Sequence, residues 1–209
     1  GAEDQLERLV LYIREQHPDI PVILDAKRGD IGSTAALYAK EAYERYGADA
    51  VTVNPYLGFE SIEPYMKYED KGIVVLCRTS NPGSDWLQKD KKDSVPVYQR
   101  VAKQVADWNK EDQFVLVTGA TYPEELGEVR KIVGRMPLLV PGIGAQGGDV
   151  KSVLEVGLDQ KAQGLIISSS REILYAHEKP NSDCPPDSEK LSEAGIVARQ
   201  TRDMINKFR

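Results

Sequence analysis

The sequence predicts an α/β fold with a parallel sheet, of the (β/α)8 barrel class, with about six strand–helix units present. Three observations carry that prediction. Apolar runs such as Ile73-Val74-Val75-Leu76 and Phe114-Val115-Leu116-Val117 are continuous rather than alternating, as in strands covered on both faces. Each run is followed by a segment of helical periodicity, the alternation of a parallel sheet. Polar residues gather just after the strands' C-terminal ends, where a barrel places its chemistry and a doubly wound sheet also collects ligand groups.

Taken in order, Ala2 to Gln16 reads as a helix, with Leu6, Leu9, Val10 and Ile13 at i, i+3, i+4 and i+7. Pro21 bounds the strand Val22-Ile23-Leu24, which runs into Asp25, Lys27 and Asp30. Ser33 or Thr34 can start the next helix, carried through Ala36, Leu37, Ala39 and Tyr43 to a stop near Gly47. Ala50-Val51-Thr52-Val53-Asn54 is a strand ending in a Pro-Tyr-Leu-Gly loop, followed by a helix around Ser61 to Lys67. The strand Gly72 to Arg78 leads into a long polar loop from Thr79 to near Ser94.

A helix then carries Tyr98, Val101, Ala102, Val105 and Trp108 on one face, and Phe114 to Thr118 is the next strand. Pro123 suits a helix's first turn, with Leu126, Val129, Ile132 and Val133 as its apolar face. Leu138-Leu139-Val140 is a strand; a short helix with Val150, Val153 and Leu154 stops at Gly157. The last strand, Leu165-Ile166-Ile167, ends in Ser168-Ser169-Ser170-Arg171. A loop rich in Pro, Asp and Ser spans His177 to Asp187, before a helix carrying Leu191, Ile196, Val197, Met204 and Ile205.

Composition narrows the function classes. At 209 residues, with 41% hydrophobic and 29% charged residues, residues 1–209 read as a single soluble domain with a substantial core. A net charge of −6 argues against nucleic acid or an anionic membrane as the main partner, while leaving room for a local phosphate pocket. Cys77 lies in an apolar strand and Cys184 in a Pro-rich loop, so a disulfide framework is not expected and the compartment is a reducing one. No apolar run reaches membrane length and no signal-peptide pattern opens the sequence, so a cytoplasmic location is expected.

Two constellations carry chemistry. On an extended chain Asp25 and Lys27 share one face, and Asp30 follows where the chain turns on Gly29. A strand tip whose charges merely reach water is the plainer reading of Asp-x-Lys. Convergence of three charges directly after a buried run points instead to a site. The second constellation is Pro141-Gly142-Ile143-Gly144-Ala145-Gln146-Gly147-Gly148-Asp149, between a strand and a short helix. Its glycines let the backbone approach an anion, and the helix start can offer free N–H groups. Arg171, at the end of the following strand, is placed for an anion clamp. Phosphate held by the last two strand-end loops is a barrel arrangement, which selects the barrel over the doubly wound sheet.

Asp25, Lys27, Asp30, Ile31 and Thr34 match position for position the Asp-x-Lys-x-x-Asp-Ile and Thr pattern of orotidine 5'-monophosphate decarboxylases. The run Asp-Ala-Lys-Arg-Gly-Asp-Ile-Gly-Ser-Thr resembles the bacterial enzymes in particular. The resemblance extends over Leu6 to Ile205. It implies a TIM barrel that removes carbon dioxide from orotidine 5'-monophosphate to give UMP, without metal or other cofactor. By that resemblance Lys27 is the proton donor, Asp25 holds it, and Asp30 and Thr34 reach a partner's site across a homodimer interface. Pro141 to Asp149 resembles the phosphate loop, with Gly144 in it and Gln146 touching phosphate and base. Arg171 resembles the phosphate-holding arginine. Thr79-Ser80-Asn81-Pro82-Gly83 resembles the loop that reads the pyrimidine edge, with the Ser80 hydroxyl as the expected contact. Asn54 and Tyr56 resemble lining residues, and Tyr38, Tyr43 and Tyr46 fit the expected interface helix.

Two departures stand out. Glu172 occupies a position where glycine is common. The family barrel also opens with two strand units, bearing an Asp and a Lys, that have no counterpart here, so an N-terminally incomplete barrel with open sheet edges is expected. The rival readings are a Mg²⁺-dependent sugar-phosphate decarboxylase or synthase on the same scaffold, and a non-catalytic nucleotide-phosphate binding fragment.

Overall fold

The apolar runs form strands and the periodic segments form helices, in the order the sequence predicts. The computed structural model describes residues 1–143, 148–178 and 192–208. In chain order, α1 (Ala2–Gln16) is followed by β1 (Ile23–Arg28), α2 (Gly32–Lys40), β2 (Ala50–Val53), α3 (Glu63–Met66), β3 (Gly72–Arg78) and α4 (Asp85–Gln88). A small antiparallel hairpin of β4 (Lys91–Lys92) and β5 (Val95–Pro96) leads into α5 (Val97–Trp108) and β6 (Phe114–Thr118). Then come α6 (Pro123–Val133), β7 (Leu138–Pro141), α7 (Val150–Gly157), β8 (Leu165–Ser168), α8 (Arg171–Leu174) and α9 (Glu193–Asn206). The chain divides into two compact units, one of Gly1–Cys77 with Arg100–Val117 and one of Arg78–Gln99 with Thr118–Arg209.

In the first unit the strand order is β1-β2-β3-β6. β1 pairs with β2 and β2 with β3, both in parallel, with Ala50 opposite Ile23 on one side and Gly72 on the other. The Ile73 N–H donates to the Gln113 carbonyl at 2.9 Å, just before β6. Val51, Val53, Ile73, Val74, Val75 and Leu116 are fully buried, which explains why these strands read as continuous rather than alternating. β1, the outermost strand of this ladder among the described residues, is more open, with its Asp25 and Lys27 side chains exposed.

The helix after β1 stops near Gly47 as expected but differs in its start and in the form of its last turn. It begins at Gly32, with Ser33 and Thr34 inside its first turn, and its last turn widens into a π-helix over Glu41–Arg45. Its buried face is Ala35, Ala39, Ala42 and Tyr43, whereas Leu37 is 66% exposed. Small alanines let this helix lie close to the strands, and Tyr43 fills the remaining space. The Tyr43 hydroxyl donates to the Gly72 carbonyl at 2.9 Å and its ring meets Tyr65 edge-on at 6.1 Å between centroids. Burial pushes its phenol well above the usual range, a group committed to staying neutral. Tyr46 is buried as well. These two tyrosines pack within their own unit, which removes them as support for an interface on this helix; the exposed apolar side chains are Ile31, just before the helix, and Leu37, on it.

In the second unit β7 and β8 pair in parallel from Leu138↔Leu165 to Pro141↔Ser168, with Leu126, Val129, Leu138, Val140 and Val153 fully buried around them. The expected long loop after β3 is instead folded, through a 3-10 turn (Pro82–Ser84), α4 and the hairpin. The cause is Arg78, whose side chain is entirely buried. A buried guanidinium needs partners. Arg78 finds the Asp85 carboxylate at 2.6 Å, the Ser84 hydroxyl, the Gln88 amide oxygen at 3.3 Å and the face of Tyr122 at 3.7 Å. The charge at the end of β3 thereby orders the segment that follows it.

A second buried arginine ties this unit together. Arg130 of α6 donates to the backbone carbonyls of Gly157 at 2.6 Å and of Gly134, Met136 and Gly164 at 2.7 Å each. Replacing it with leucine keeps apolar bulk but strands four partly or fully buried acceptors. Hydrogen bonds to a charged group contribute about 1.5–3 kcal/mol each and do not add fully, so Arg130→Leu is expected to lose at least about 3 kcal/mol. Urea unfolding of the full chain measures it; a loss below about 1 kcal/mol would show that the staple is idle.

Candidate active site

β1 and β2 pair regularly at Ile23↔Ala50 and Leu24↔Val51, and the next partners are Arg28↔Val53. Asp25, Ala26 and Lys27 therefore bulge opposite the single residue Thr52. Such a bulge re-aims side chains at a strand end. Lys27 adopts φ 47°, the left-handed region that residues with a Cβ avoid. The Lys27 ammonium lies 2.6 Å and 2.7 Å from the two Asp25 carboxylate oxygens. The pair is far from buried, with side-chain exposures of 52% and 62%. An ion pair this exposed adds little stability, so its role is orientation.

Around this pair the sequence-predicted residues take distinct places. Asp30 is half-buried on the turn into α2, its carboxylate accepting from the Ile31 N–H at 2.8 Å. Thr34 is exposed in the first turn of α2. Arg28 pairs with Glu41 and lies over the Tyr38 ring at 4.3 Å, clamping α2 to the end of β1. Asn54 donates its N–H to the Arg28 carbonyl at 2.7 Å, and its side chain caps the turn at Pro55–Leu57 by accepting from the Tyr56 N–H at 3.0 Å. That cap is a structural task for a residue expected to line the site.

In the second unit the expected pyrimidine-reading loop is held from several sides. Ser80 is half-buried; its carbonyl accepts from the Thr121 hydroxyl at 3.2 Å. Its backbone lies so close to Gly119 that a Cβ there would sit 2.7 Å from the Ser80 Cα, a position only glycine fills. Gln88 accepts from the Thr79 N–H at 2.9 Å, and Arg78 holds Ser84 and Asp85. Gly142, Ser168, Ser170, Arg171 and Glu172 line one recess of about 80 Å³, which brings the Gly-rich loop's start beside the expected anion clamp. Gly148 is locked against Ala120 and the Gly142 carbonyl, where a Cβ would come within 2.5 Å and 2.7 Å. Gly144 and Gln146 lie outside the described residues. At the helix after the loop, the Asp149 carboxylate caps α7 through the Ser152 hydroxyl at 2.7 Å and the Ser152 N–H at 2.8 Å, bonds that hold its pKa low.

Sequence reasoning passed over Thr52. Its hydroxyl accepts from the Lys27 N–H and donates to Asp25 Oδ1, both at 2.8 Å. The available signal was a lone polar residue within an otherwise apolar run, Ala-Val-Thr-Val. Arg78, at the end of β3, was the second missed residue, read only as the last position of a strand.

Comparison with known proteins bears on these arrangements together. A family model described as orotidine 5'-phosphate decarboxylase / HUMPS family matches residues 2–183. The orotidine 5'-phosphate decarboxylase of Janthinobacterium sp. (strain Marseille) is 55% identical over 208 residues, 99% of this chain and 74% of that protein. That of Ralstonia pickettii (strain 12J) is 56% identical over 209 residues, 100% of this chain and again 74% of the relative. The solved OMP decarboxylase of Leishmania donovani superposes with a TM-score of 0.84 at 34% identity, over 99% of this chain and 74% of that one. The UMP synthase of the same organism gives 0.86 at 36% identity, over 98% of this chain and 42% of that one. The strand–helix units described above are those of a (β/α)8 barrel, and the chain belongs to the orotidine 5'-phosphate decarboxylase family.

Proposed function

We propose that this chain is a carboxy-lyase that converts orotidine 5'-monophosphate to UMP and carbon dioxide, in pyrimidine biosynthesis, with Lys27 as proton donor. The observation that carries the reading is the Lys27–Asp25 pair, set by a backbone bulge at the end of β1. In the reaction the bond from C6 to the carboxylate breaks and its electron pair stays on C6. An ammonium fixed beside that carbon stabilises the developing charge and then gives it a proton. Lys27 recovers its proton from solvent. Asp25 keeps the ammonium in place through both of its carboxylate oxygens. The chemistry asks nothing of a metal or organic cofactor, so turnover, followed as loss of substrate absorbance, should be unchanged by EDTA. UMP binding without turnover would overturn the enzymatic reading, and loss of activity in EDTA would favour a metal-dependent relative.

Phosphate binding is assigned to the recess with Arg171 and Ser170, with Gln146 and Gly144 of the adjoining loop as further contacts. Ser80 is assigned to the pyrimidine edge and Asn54 to the lining. None of these groups takes part in bond making. They supply binding energy away from the reacting carbon, which loop closure can convert into rate. We assign the reaction to the cytoplasm and the active form to a homodimer in which Asp30 and Thr34 serve the opposite subunit's site. The exposed Leu37, on the helix that bears Thr34, and the exposed Ile31 just before that helix support such a contact.

Three outcomes test these roles. Lys27→Ala should lower kcat by at least about a thousandfold with the fold intact, since charge stabilisation and proton delivery are lost together; a variant that keeps a tenth of the rate would refute the assignment. Arg171→Ala should weaken UMP binding by about 1.5–3 kcal/mol, roughly 10- to 100-fold, and leave uridine binding nearly unchanged. Equal losses for both would give Arg171 another task. Mixing inactive Lys27→Ala with inactive Asp30→Ala should restore activity, because a heterodimer with crossed carboxylates holds one site free of both defects. No recovery despite demonstrated subunit exchange would return Asp30 to its own chain's site.

A further inference from the structure

Thr52 is 1% exposed, yet it touches the exposed Asp25 carboxylate and the backbone of the exposed Lys27. Its hydroxyl is used twice, as acceptor for the Lys27 N–H and as donor to Asp25 Oδ1. Asp25 in turn holds the Lys27 ammonium through both oxygens. The contacts close a ring that runs from the Thr52 oxygen through the Asp25 carboxylate to Lys27 Nζ, and back along the lysine to its own amide. At this point the β1–β2 ladder is interrupted between Leu24 and Arg28. The Lys27 N–H finds the side-chain oxygen of Thr52 instead, and the left-handed Lys27 backbone is held by that bond. An apolar residue of the same shape would fit the strand and leave both the amide and the carboxylate unguided.

We propose that Thr52 is the positioning residue of the site, fixing the Asp25 carboxylate and the Lys27 backbone in the one arrangement that presents Lys27 Nζ to the substrate. The inference rests on the decarboxylase reading given above. It predicts a loss in the chemical step rather than in binding, because the groups assigned to phosphate and pyrimidine are untouched. A misplaced catalytic group costs on the order of a hundredfold per ångström.

The experiment compares Thr52→Val with Thr52→Ser in the full chain. Thr52→Val should lower kcat for orotidine 5'-monophosphate by roughly 10- to 100-fold, with KM within about threefold of the parent. Thr52→Ser, which keeps the hydroxyl, should stay within about threefold in both. Hydrogen exchange at the Lys27 amide gives a readout independent of activity. It should quicken at least about tenfold in Thr52→Val and not in Thr52→Ser. Unchanged kcat in folded Thr52→Val, a change confined to KM, or unchanged Lys27 exchange would each overturn the proposal. Should Thr52→Val fail to fold, the serine variant decides alone: a tenfold drop in kcat or in Lys27 protection overturns it, and retention of both supports it. If the parent chain binds UMP but turns over no substrate, the decarboxylase reading fails; the exchange comparison still decides whether Thr52 holds Lys27.

Discussion

Where the β1–β2 ladder breaks, three residues of β1 face Thr52 alone, and the local geometry of the site follows from how that break is satisfied. An uninterrupted parallel strand would send Asp25 and Lys27 out on one face with their backbones spent on the ladder. The bulge turns the lysine into a left-handed conformation, and a buried hydroxyl takes its amide. The carboxylate is caught by the same oxygen. Downstream, Arg28 resumes the pairing with β2 and clamps α2 through Glu41 and Tyr38, so the segment with Asp30 and Thr34 starts from a fixed point.

Among the described residues, two kinds of charged group stand at opposite extremes of burial. Lys27 and Asp25 are exposed, and water weakens their attraction, so they are free to respond to a ligand's charge. Arg78 and Arg130 are buried and surrounded by acceptors, and they act on the fold rather than on a ligand. Arg78 shows how a buried charge can serve a site indirectly. By drawing Ser84, Asp85 and Gln88 onto the end of β3 it folds the segment that contains Ser80, and Gly119 admits the Ser80 backbone because it has no side chain.

Most strands and helices were legible because both periodicities are strong: dry β2 and β3 read as unbroken apolar runs, and α5 as a one-sided stripe. The Asp25, Lys27 and Asp30 cluster was visible as charge placed directly after a buried run. The bulge was not, since two extra residues on one strand leave no mark on composition, and so Thr52 passed as an ordinary strand residue. The buried face of α2 was not legible for a related reason. Leu37 is the most apolar side chain there, but close helix packing selects Ala35, Ala39 and Ala42, and size is invisible to a hydrophobic pattern. The folded segment after β3 was hidden by its polarity, because its organising partner, Arg78, lies outside it.

The four carbonyls held by Arg130 have a consequence for motion. They come from the chain just after α6, from the end of α7 and from the turn before β8, three separate points along the chain. Fraying at any one of them would leave part of a desolvated guanidinium unmatched, a cost that an ordinary surface helix end does not carry. These segments are therefore coupled: the end of α7 cannot open cheaply while α6 and the start of β8 stay closed. Such coupling makes them one cooperative exchange unit rather than three independent ones. The strand leading to Arg171 thus starts from a foundation that yields all at once or not at all.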